Sequence, residues 1–176
     1  MVPPPSIRLF FALWPDVATR TALDTLARNV ASETGGRKVA TGNLHLTLAF
    51  LGERPAAMVP DLCAIASQID ALPFSLPFDD VGCWRKTSIA WLATSPNVPP
   101  LLELRERVVR ALATLHVVIE ERRFLPHVTL ARHIESVIAR QSAPPIEWQV
   151  DSFALVASTL DPRGVHYEVL QTFALT

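Results

Sequence analysis

The sequence predicts an α+β protein, because short apolar runs of strand length alternate with stretches whose apolar residues recur at helical spacing. Apolar residues make up 49% and charged residues 19% of the 176 positions, a composition that supports a sizeable core and argues against disorder. The prolines are scattered between these segments, and no flexible linker is evident. We therefore expect residues 1–176 to form a single domain, either undivided or bilobal.

The first part of the chain predicts two strand–helix pairs. A buried strand covers 7–13, and the helix after it ends at a Gly-Gly pair. Its apolar stripe and stop are Leu23, Leu26, Val30 and Gly35-Gly36. The long apolar run 43–51 predicts the second strand. A second helix follows Gly52 and ends near Pro73; its stripe is Met58, Leu62, Ile65 and Ile69.

The rest of the chain predicts five strands and one helix. Two strands, 74–81 and 88–92, precede a helix opened by Pro99-Pro100, because proline is favoured at the first helical position. The stripe of this helix is Leu101, Leu104, Val108, Leu112 and Leu115. A strand over 124–131 and a break at Pro144-Pro145 follow. Strands at 153–159 and 166–173 close the chain as a hairpin around the turn at 161–164.

Charge and cysteine content limit the partners and the cellular location that we expect for the protein. The formal net charge is −1, so any contact with a polyanion should be local. The two cysteines, Cys63 and Cys83, fit neither a disulfide framework nor a zinc knuckle, which favours a reduced cytoplasmic location. The first residues lack a basic leader and are interrupted by Arg8 and Pro15, so we do not expect a signal peptide. We also expect no membrane association.

Two histidines and two threonines form the strongest functional pattern. The sequence H-x-T-L occurs at His45 and Thr47 and again, 82 residues later, at His127 and Thr129. Both copies lie in apolar runs of strand length. Because residues two apart on a strand point to the same face, each histidine shares a face with its threonine, while the intervening apolar residues face the core. Two such strands side by side would direct two imidazoles into one cleft.

This arrangement suits displacement at phosphorus without a metal ion. Imidazole has an ordinary pKa near 6.5, so one neutral and one protonated histidine can coexist near neutrality as general base and general acid. Each threonine hydroxyl can donate a hydrogen bond to a phosphate oxygen and so stabilise the charge that grows in the transition state. A metal site built from His45, His127 and His133 lacks the accompanying carboxylates. We expect no metal and no other cofactor.

The chain resembles the two-histidine (2H) phosphoesterase superfamily, and within it the RNA 2′,3′-cyclic phosphodiesterases, historically called 2′-5′ RNA ligases. The resemblance runs almost end to end. Its carriers are Arg8-Leu-Phe-Phe-Ala-Leu, Asn43-Leu-His-Leu-Thr-Leu-Ala-Phe-Leu-Gly-Glu53, Pro126-His-Val-Thr-Leu-Ala-Arg132, and the ordered residues Ser158, Gly164, Tyr167 and Leu170. It implies a bilobal 2H phosphoesterase fold, in which two antiparallel sheets flank a central cleft and the helices lie outside.

The resemblance also implies the role of each site residue. His45 would protonate the leaving oxygen, and His127 would activate water. Thr47 and Thr129 would bind the phosphate, and Arg132 would add a further phosphate contact. Strict strand alternation places Arg132 on the face opposite His127, so this last role requires the strand to end or twist first.

The activity implied is hydrolysis of 2′,3′-cyclic phosphate ends of RNA to 2′-phosphates, with 2′-5′ ligation as the reverse reaction. We expect the protein to be a monomer. Two alternatives remain: a cyclic phosphodiesterase for small nucleotides or ADP-ribose cyclic phosphate, and a catalytically silent protein that binds RNA ends. Turnover of a 2′,3′-cyclic nucleotide would distinguish either enzyme from the catalytically silent RNA-binding protein.

Other chemically distinctive residues receive structural interpretations. We expect the other histidines, His116, His133 and His166, to be surface or structural residues. The charged runs 35–38 and 120–123 are typical of solvated loops, although either would suit the rim of a cleft that touches an RNA backbone. We interpret the tryptophans as packing residues: Trp14, Trp84, Trp91 and Trp148. One of them, or Phe50, is a candidate for stacking on a base.

Overall fold

The computed structural model describes residues 5–94, 98–119, 123–161 and 164–176 and confirms the predicted α+β class. The strands are β1 Ser6–Leu13, β2 Arg37–Lys38, β3 Leu46–Pro55, β4 Phe74–Trp84, β5 Ile89–Ala93, β6 His127–Arg132, β7 Gln141–Val150, β8 Ser152–Asp161 and β9 Gly164–Ala174. The helices are α1 Val17–Thr34, α2 Val59–Ala66 and α3 Pro99–Thr114. Short 3-10 turns occupy Thr41–Asn43, Ala56–Met58 and Arg85–Thr87.

All the strand pairs are antiparallel, and the sheet order is β7-β4-β5-β6-β3-β1-β8-β9, with β2 beside β6. The sheet has two halves. The first half-sheet is β3-β1-β8-β9 and the second half-sheet is β6-β5-β4-β7. They are joined between β3 and β6 at one residue pair, Leu46 with Val128. The two sheets that the resemblance implies are therefore joined at this point, and each contains one H-x-T strand.

The helices and the sheet enclose one apolar core. Helix α1 packs against β6 and α3 packs against β3, so each H-x-T strand is supported from behind. The core extends across the junction of the half-sheets, where Leu46 and Val128 are both 0% exposed. This packing fixes which face of each motif strand is left for a cleft, since the apolar face is already covered.

The first helix begins and ends with regular capping. The Asp16 carboxylate accepts a hydrogen bond from the Thr19 backbone N–H at 2.8 Å, which satisfies a free donor of the first turn. At the other end Gly35 has φ 66°, the left-handed conformation that glycine adopts without strain. The predicted stop of this helix is confirmed. From Gly35 the chain continues into β2, at the edge of the cleft.

Several predicted boundaries were wrong. Strand β3 begins three residues later than predicted, after a 3-10 turn, and continues through Gly52 to Pro55. Helix α2 ends at Ala66, well before Pro73. Strand β6 begins at His127 rather than 124. The predicted hairpin of β8 and β9 is confirmed, whereas residues 162 and 163 of its turn lie outside the described residues.

The Pro144-Pro145 pair does not break the chain; it lies within β7. This strand is at the sheet edge and, among the described strands, pairs only with β4. The ladder there is irregular: Phe78 pairs with Ile146, but Asp80 pairs with Ser142, so residues 143–145 form a bulge. Proline lacks a backbone N–H and is tolerated at edge strands and bulges for this reason.

No helix within the described ranges is both long enough and apolar enough to cross a membrane. Both cysteines are free thiols.

Candidate active site

The site is built around the residue pair that joins the half-sheets. Leu46 and Val128 are the middle residues of the two H-x-T motifs, and they pair with each other in antiparallel register. Equivalent residues that pair antiparallel are related by a local two-fold axis, so the motifs face each other symmetrically. The register places His45 across from Thr129 and Thr47 across from His127. All four half-buried side chains therefore share the face opposite Leu46 and Val128.

Both histidines are oriented by the same local hydrogen bond. His45 Nδ1 lies 2.7 Å from the carbonyl oxygen of Asn43, and His127 Nδ1 lies 2.7 Å from that of Leu125. A carbonyl oxygen only accepts, so Nδ1 carries the proton in each neutral ring. Nε2 is then the nitrogen that takes up or releases a proton in the cleft.

His45 is enclosed by aromatic side chains. Its ring stacks on Trp14, with centroids 5.6 Å apart and planes 20° apart. Phe10 lies 4.9 Å away and Tyr167 meets the ring edge-on at 5.1 Å. On the open side, His45 Nε2 lies 3.0 Å from Thr47 Oγ1. Burial by these neighbours lowers the pKa of His45 to about 4, although the Asn43 carbonyl opposes the shift and the charges of His127 and Arg132 add to it.

His127 has a less enclosed environment. Trp84 contacts its ring edge-on, with centroids 4.6 Å apart. Burial lowers the pKa of His127, the Leu125 carbonyl opposes this shift, and the charge of Arg132 lowers the pKa further. Both rings are therefore neutral near pH 7 in the protein alone. The expected neutral–protonated pair requires an anion in the cleft, which would favour the imidazolium form.

A β-bulge brings Arg132 to the cleft face. Trp91 pairs with Thr129, but Ala90 pairs with Ala131, so Leu130 is an extra residue in β6. Leu130 and Ala131 are consecutive buried residues, and Arg132 is exposed on the side of Thr129. The condition that the sequence set for Arg132, a strand that departs from strict alternation, is thus met.

The same bulge occurs in β3 and brings Phe50 to the cleft. Phe11 pairs with Ala49 and Ala12 with Thr47, so Leu48 is the extra residue. The repeat therefore covers five positions, H-x-T-L-A, and at the sixth position Phe50 stands where the second copy has Arg132. Phe50 is 48% exposed, and the Arg8 guanidinium lies 4.9 Å from the centre of its ring.

Two cavities adjoin His45. The first cavity, about 570 Å³, extends from His45 and Thr129 towards β2 and the β8–β9 hairpin. The second cavity, about 460 Å³, extends from His45 and Thr47 over the first half-sheet. His45, Arg132, Val165 and Tyr167 line both. His127 lines neither and contacts Trp84 outside them.

A row of paired residues lines the second cavity. Glu53, Arg8, Ser158 and Tyr167 are successive partners across β3, β1, β8 and β9. Ser158 and Tyr167 were expected only from the family pattern, and Arg8 and Phe10 carry no sequence signal that assigns them to the site. The row depends on the pairing of Arg8 with Ser158, which lie 150 residues apart in the sequence, and local periodicity carries no signal for that contact.

The other histidines and the tryptophans lie in several different places: the cavity wall, the surface after α3, the rings of the motif histidines and the core. His133 and His166 are exposed residues of the first cavity wall, whereas His116 is exposed after α3. Trp14 and Trp84 pack on the two motif histidines, and Trp148 is a core residue, 2% exposed. In the run 35–38, Arg37 and Lys38 line the first cavity; part of the run 120–123 lies outside the described residues. Across the described ranges, no group of three or more His, Cys, Asp or Glu side chains is arranged to hold a metal ion.

An antiparallel α+β fold in which two H-x-T motifs face one cleft defines a two-histidine phosphoesterase. The family described as LigT like Phosphoesterase matches residues 13–91 and again 92–167. The chain is 32% identical over 171 residues to the RNA 2′,3′-cyclic phosphodiesterase of Escherichia coli, covering 96% of this chain and 97% of that protein. It is 35% identical over 182 residues to the protein of that name from Thermus thermophilus, covering 96% and 90%.

Solved structures agree with this assignment. Escherichia coli LigT complexed with 3′-AMP superposes with a TM-score of 0.85 at 31% identity, covering 98% of this chain and 99% of that one. The Thermus thermophilus protein TT0787 gives a TM-score of 0.80 at 32% identity, covering 96% and 98%. The chain belongs to the LigT-like phosphoesterase family.

Proposed function

We propose that this protein is an RNA 2′,3′-cyclic phosphodiesterase, which opens the cyclic phosphate at an RNA end and leaves a 2′-phosphate. The observation that carries the proposal is the symmetric pair of H-x-T motifs around Leu46 and Val128, in a chain similar over its whole length to enzymes of that name. The pair supplies one imidazole on each side of a bound phosphorus atom, as in-line displacement requires.

In the proposed reaction, His127 Nε2 removes a proton from water as the water attacks phosphorus. The bond from phosphorus to the 3′ oxygen breaks, and His45 Nε2 gives that oxygen a proton. The strongly lowered pKa of His45 suits the acid role, because its imidazolium form releases a proton readily. The negative charge of the bound phosphodiester favours that imidazolium, which the protein alone disfavours.

The threonines and Arg132 stabilise the charge on phosphorus oxygens in this scheme. Thr47 and Thr129 each present one hydroxyl on the face shared with the histidines. Arg132 makes no ion pair with an acidic group in the described part of the chain, so its charge is available to a ligand. Cations and donors fixed in place before the reaction cost no reorganisation when the transition state forms.

The second cavity suits the base of the terminal nucleotide. Phe50 offers an exposed ring face beside Arg8, and Tyr167 and Phe10 form the wall near His45. A base stacked on an aromatic ring gains about 1–3 kcal/mol without sequence selectivity. Phe50 is therefore our candidate for base stacking.

The reverse reaction uses the same groups. A 5′-hydroxyl in place of water would attack the cyclic phosphate and form a 2′-5′ linkage, with His127 as base and His45 as acid. Hydrolysis should dominate in water. Both motifs come from one chain, so we propose that the enzyme acts as a monomer. Its free thiols favour the cytoplasm as its location.

A cyclic phosphodiesterase for small nucleotides or ADP-ribose cyclic phosphate is the second candidate. The second cavity, at about 460 Å³, is large enough for one nucleotide. The Escherichia coli relative has been solved with 3′-AMP, with ATP and with NADP+. A silent RNA-end-binding protein has less support, because binding alone does not need two imidazoles oriented with Nε2 available.

The test is an assay of the purified protein on a 2′,3′-cyclic mononucleotide and on an RNA oligomer with a cyclic end, with products assigned by phosphorus NMR. We expect 2′-phosphate from both and a higher kcat/KM for the oligomer. Absence of turnover on either would contradict the enzyme assignment. A 3′-phosphate or an even mixture would contradict the assignment of His45 to the 3′ oxygen.

A further inference from the structure

A second arginine lies beside the reaction centre on the short strand β2. Arg37 pairs directly with Arg132 of β6, so both side chains point to the same side of the sheet. Like charges on directly paired residues are unfavourable. Neither guanidinium has an acidic partner in the described ranges. Two exposed cations held next to each other in this way form a site for an anion.

The neighbouring lysine does not share this property. Lys38 Nζ forms an ion pair with the Asp24 carboxylate and lies 3.2 Å from Thr41 Oγ1. The same ion pair, with Thr41 and Arg28, holds the pKa of Asp24 well below its usual range. The charge of Lys38 is thus compensated within the protein, and Arg37 is the residue of β2 whose charge is available.

Arg37 lies on one side of the reaction centre only. It lines the first cavity and is absent from the wall of the second, whereas Arg132 lines both. A Cβ atom placed on Gly164 would lie 3.8 Å from Arg37 Nη2, so the guanidinium reaches across the cavity to the start of β9. Asn43 Nδ2 donates to the Val165 carbonyl at 2.7 Å and ties the β8–β9 hairpin to the 3-10 turn that precedes His45.

We propose that Arg37 determines specificity by binding the phosphate on the 5′ oxygen of the terminal nucleotide, while the histidines and threonines hold the cyclic phosphate. The inference rests on the proposed function. A ribose with a 2′,3′-cyclic phosphate has one other position that carries phosphate in RNA, the 5′ oxygen. A second anion site therefore favours RNA ends, or nucleotides phosphorylated at that oxygen, over nucleoside cyclic phosphates with a free 5′-hydroxyl.

The test compares kcat/KM on four substrates at low salt. They are a nucleoside 2′,3′-cyclic phosphate with a 5′-hydroxyl, the same compound with a 5′-phosphate, a dinucleotide with a cyclic end, and that dinucleotide with an uncharged methylphosphonate linkage. We expect the two substrates with the extra charge to exceed the 5′-hydroxyl compound by about tenfold, the usual scale for one charge-assisted contact. The advantage should shrink as salt is raised.

The ratio of interest is kcat/KM for the substrates with the extra charge divided by kcat/KM for the 5′-hydroxyl compound. Arg37→Gln should reduce this ratio to about one, and Arg37→Lys should keep most of it. The control is Arg110→Gln, the same charge change on the exposed face of α3, which should keep the full ratio. A thermal melt of each variant shows whether it is folded.

Three results would overturn the proposal: a wild-type ratio near one, an Arg37→Gln enzyme that keeps the ratio, or equal rates for the two dinucleotides. The last would mean that the second nucleoside, and not its phosphate, is recognised. No turnover of any of the four substrates by the wild type would instead contradict the proposed function.

Discussion

At the scale of single residues, the surroundings of the two histidines differ more than their motifs do. His45 stacks on Trp14 and contacts two further aromatic rings, whereas His127 contacts Trp84 alone among the described aromatic rings. Both pKa values are lowered by burial, so both rings are predominantly neutral near pH 7 until an anion binds. In the proposed mechanism, protonation of His45 as the acid is therefore linked to substrate binding.

The first prediction concerns the need for both rings. His45→Ala and His127→Ala should each lower kcat by roughly 10²–10⁴, the usual effect of losing a general acid or base. Turnover of a cyclic mononucleotide measures this. The control is His116→Asn, because His116 is exposed at φ 55° and asparagine tolerates that conformation. If a folded alanine variant kept full activity, its histidine would have no catalytic role.

The second prediction concerns proton uptake on binding. The pKa of His45 is about 4 in the protein alone, and a bound phosphodiester should raise it. The complex then holds more protons than the free protein, so the Kd should fall as pH falls from about 7 to 5, by at most tenfold per pH unit. A cyclic mononucleotide keeps one negative charge over this range. Its binding to the His127→Ala variant can be measured by titration calorimetry without turnover.

The control for this coupling of proton uptake to binding is the double variant that carries both His45→Ala and His127→Ala. It should bind with little dependence on pH and without proton uptake. If the His127→Ala variant itself showed a Kd independent of pH, the acid would not be charged by the substrate, and the assigned role of His45 would be wrong.

At the scale of secondary-structure elements, the bulges in β3 and β6 decide what the motif strands present to the cleft. Each adds one residue after the threonine and so reverses the alternation of the strand. Without the bulge at Leu130, Arg132 would face the core, where a charged side chain without a partner is costly. The bulge is therefore part of the site.

The third prediction tests Arg132 as the cation of the cleft. Arg132→Gln should lower kcat/KM by roughly tenfold to a hundredfold, because it removes a charge-assisted contact to phosphate. It should also raise the pKa values of both histidines, since the charge of Arg132 lowers them. The acidic limb of the pH profile of kcat/KM would then move to higher pH.

Arg132→Lys distinguishes this effect from a structural one. It should leave the limb near its wild-type position and recover part of the activity. If lysine were as damaging as glutamine and the limb did not move in either variant, Arg132 would act only through folding.

These elements also show what the sequence can and cannot predict. The period-two pattern around His45 and His127 placed the histidines and threonines on one face, because that pattern is local. The extent of β3 and the bulges were missed, since a bulge after H-x-T-L has no signal in hydrophobic periodicity. The proline pair in β7 was misread as a break, because its tolerance depends on the strand being at a sheet edge. The Tyr167–His45 contact depends on tertiary structure alone.

At the scale of the whole molecule, one core supports both halves of the cleft. The apolar cluster includes Leu46 and Val128 at the junction and side chains from both half-sheets and all three helices. We propose on this basis that residues 1–176 are one bilobal domain.

The fourth prediction follows from the shared core. Unfolding by urea should show one transition, with the same midpoint by tryptophan fluorescence and by far-UV circular dichroism, as expected for a domain without stable intermediates. Two separate transitions would mean that the half-sheets fold as independent units.

The fifth prediction concerns metal ions. Within the described residues no cluster of ligands was found, and the proposed acid and base are both imidazoles. Activity should therefore survive exhaustive treatment with EDTA, measured as turnover of a cyclic mononucleotide. Loss of activity that zinc or manganese restores would make the histidines metal ligands and would contradict the acid–base roles.

The local two-fold axis between Leu46 and Val128 bears on the direction of the reaction. A perfectly symmetric site would treat the entering and leaving oxygens alike, and either histidine would serve as acid or base with equal ease. Any preference for one oxygen as leaving group, or for one histidine as acid, must therefore come from differences between the two halves of the site. In this chain these are the aromatic enclosure of one imidazole and the Phe50–Arg132 difference at the sixth position of the repeat. Exchanging those features between the halves, rather than altering the shared motif, is the change that would exchange the proposed roles of His45 and His127 as acid and base.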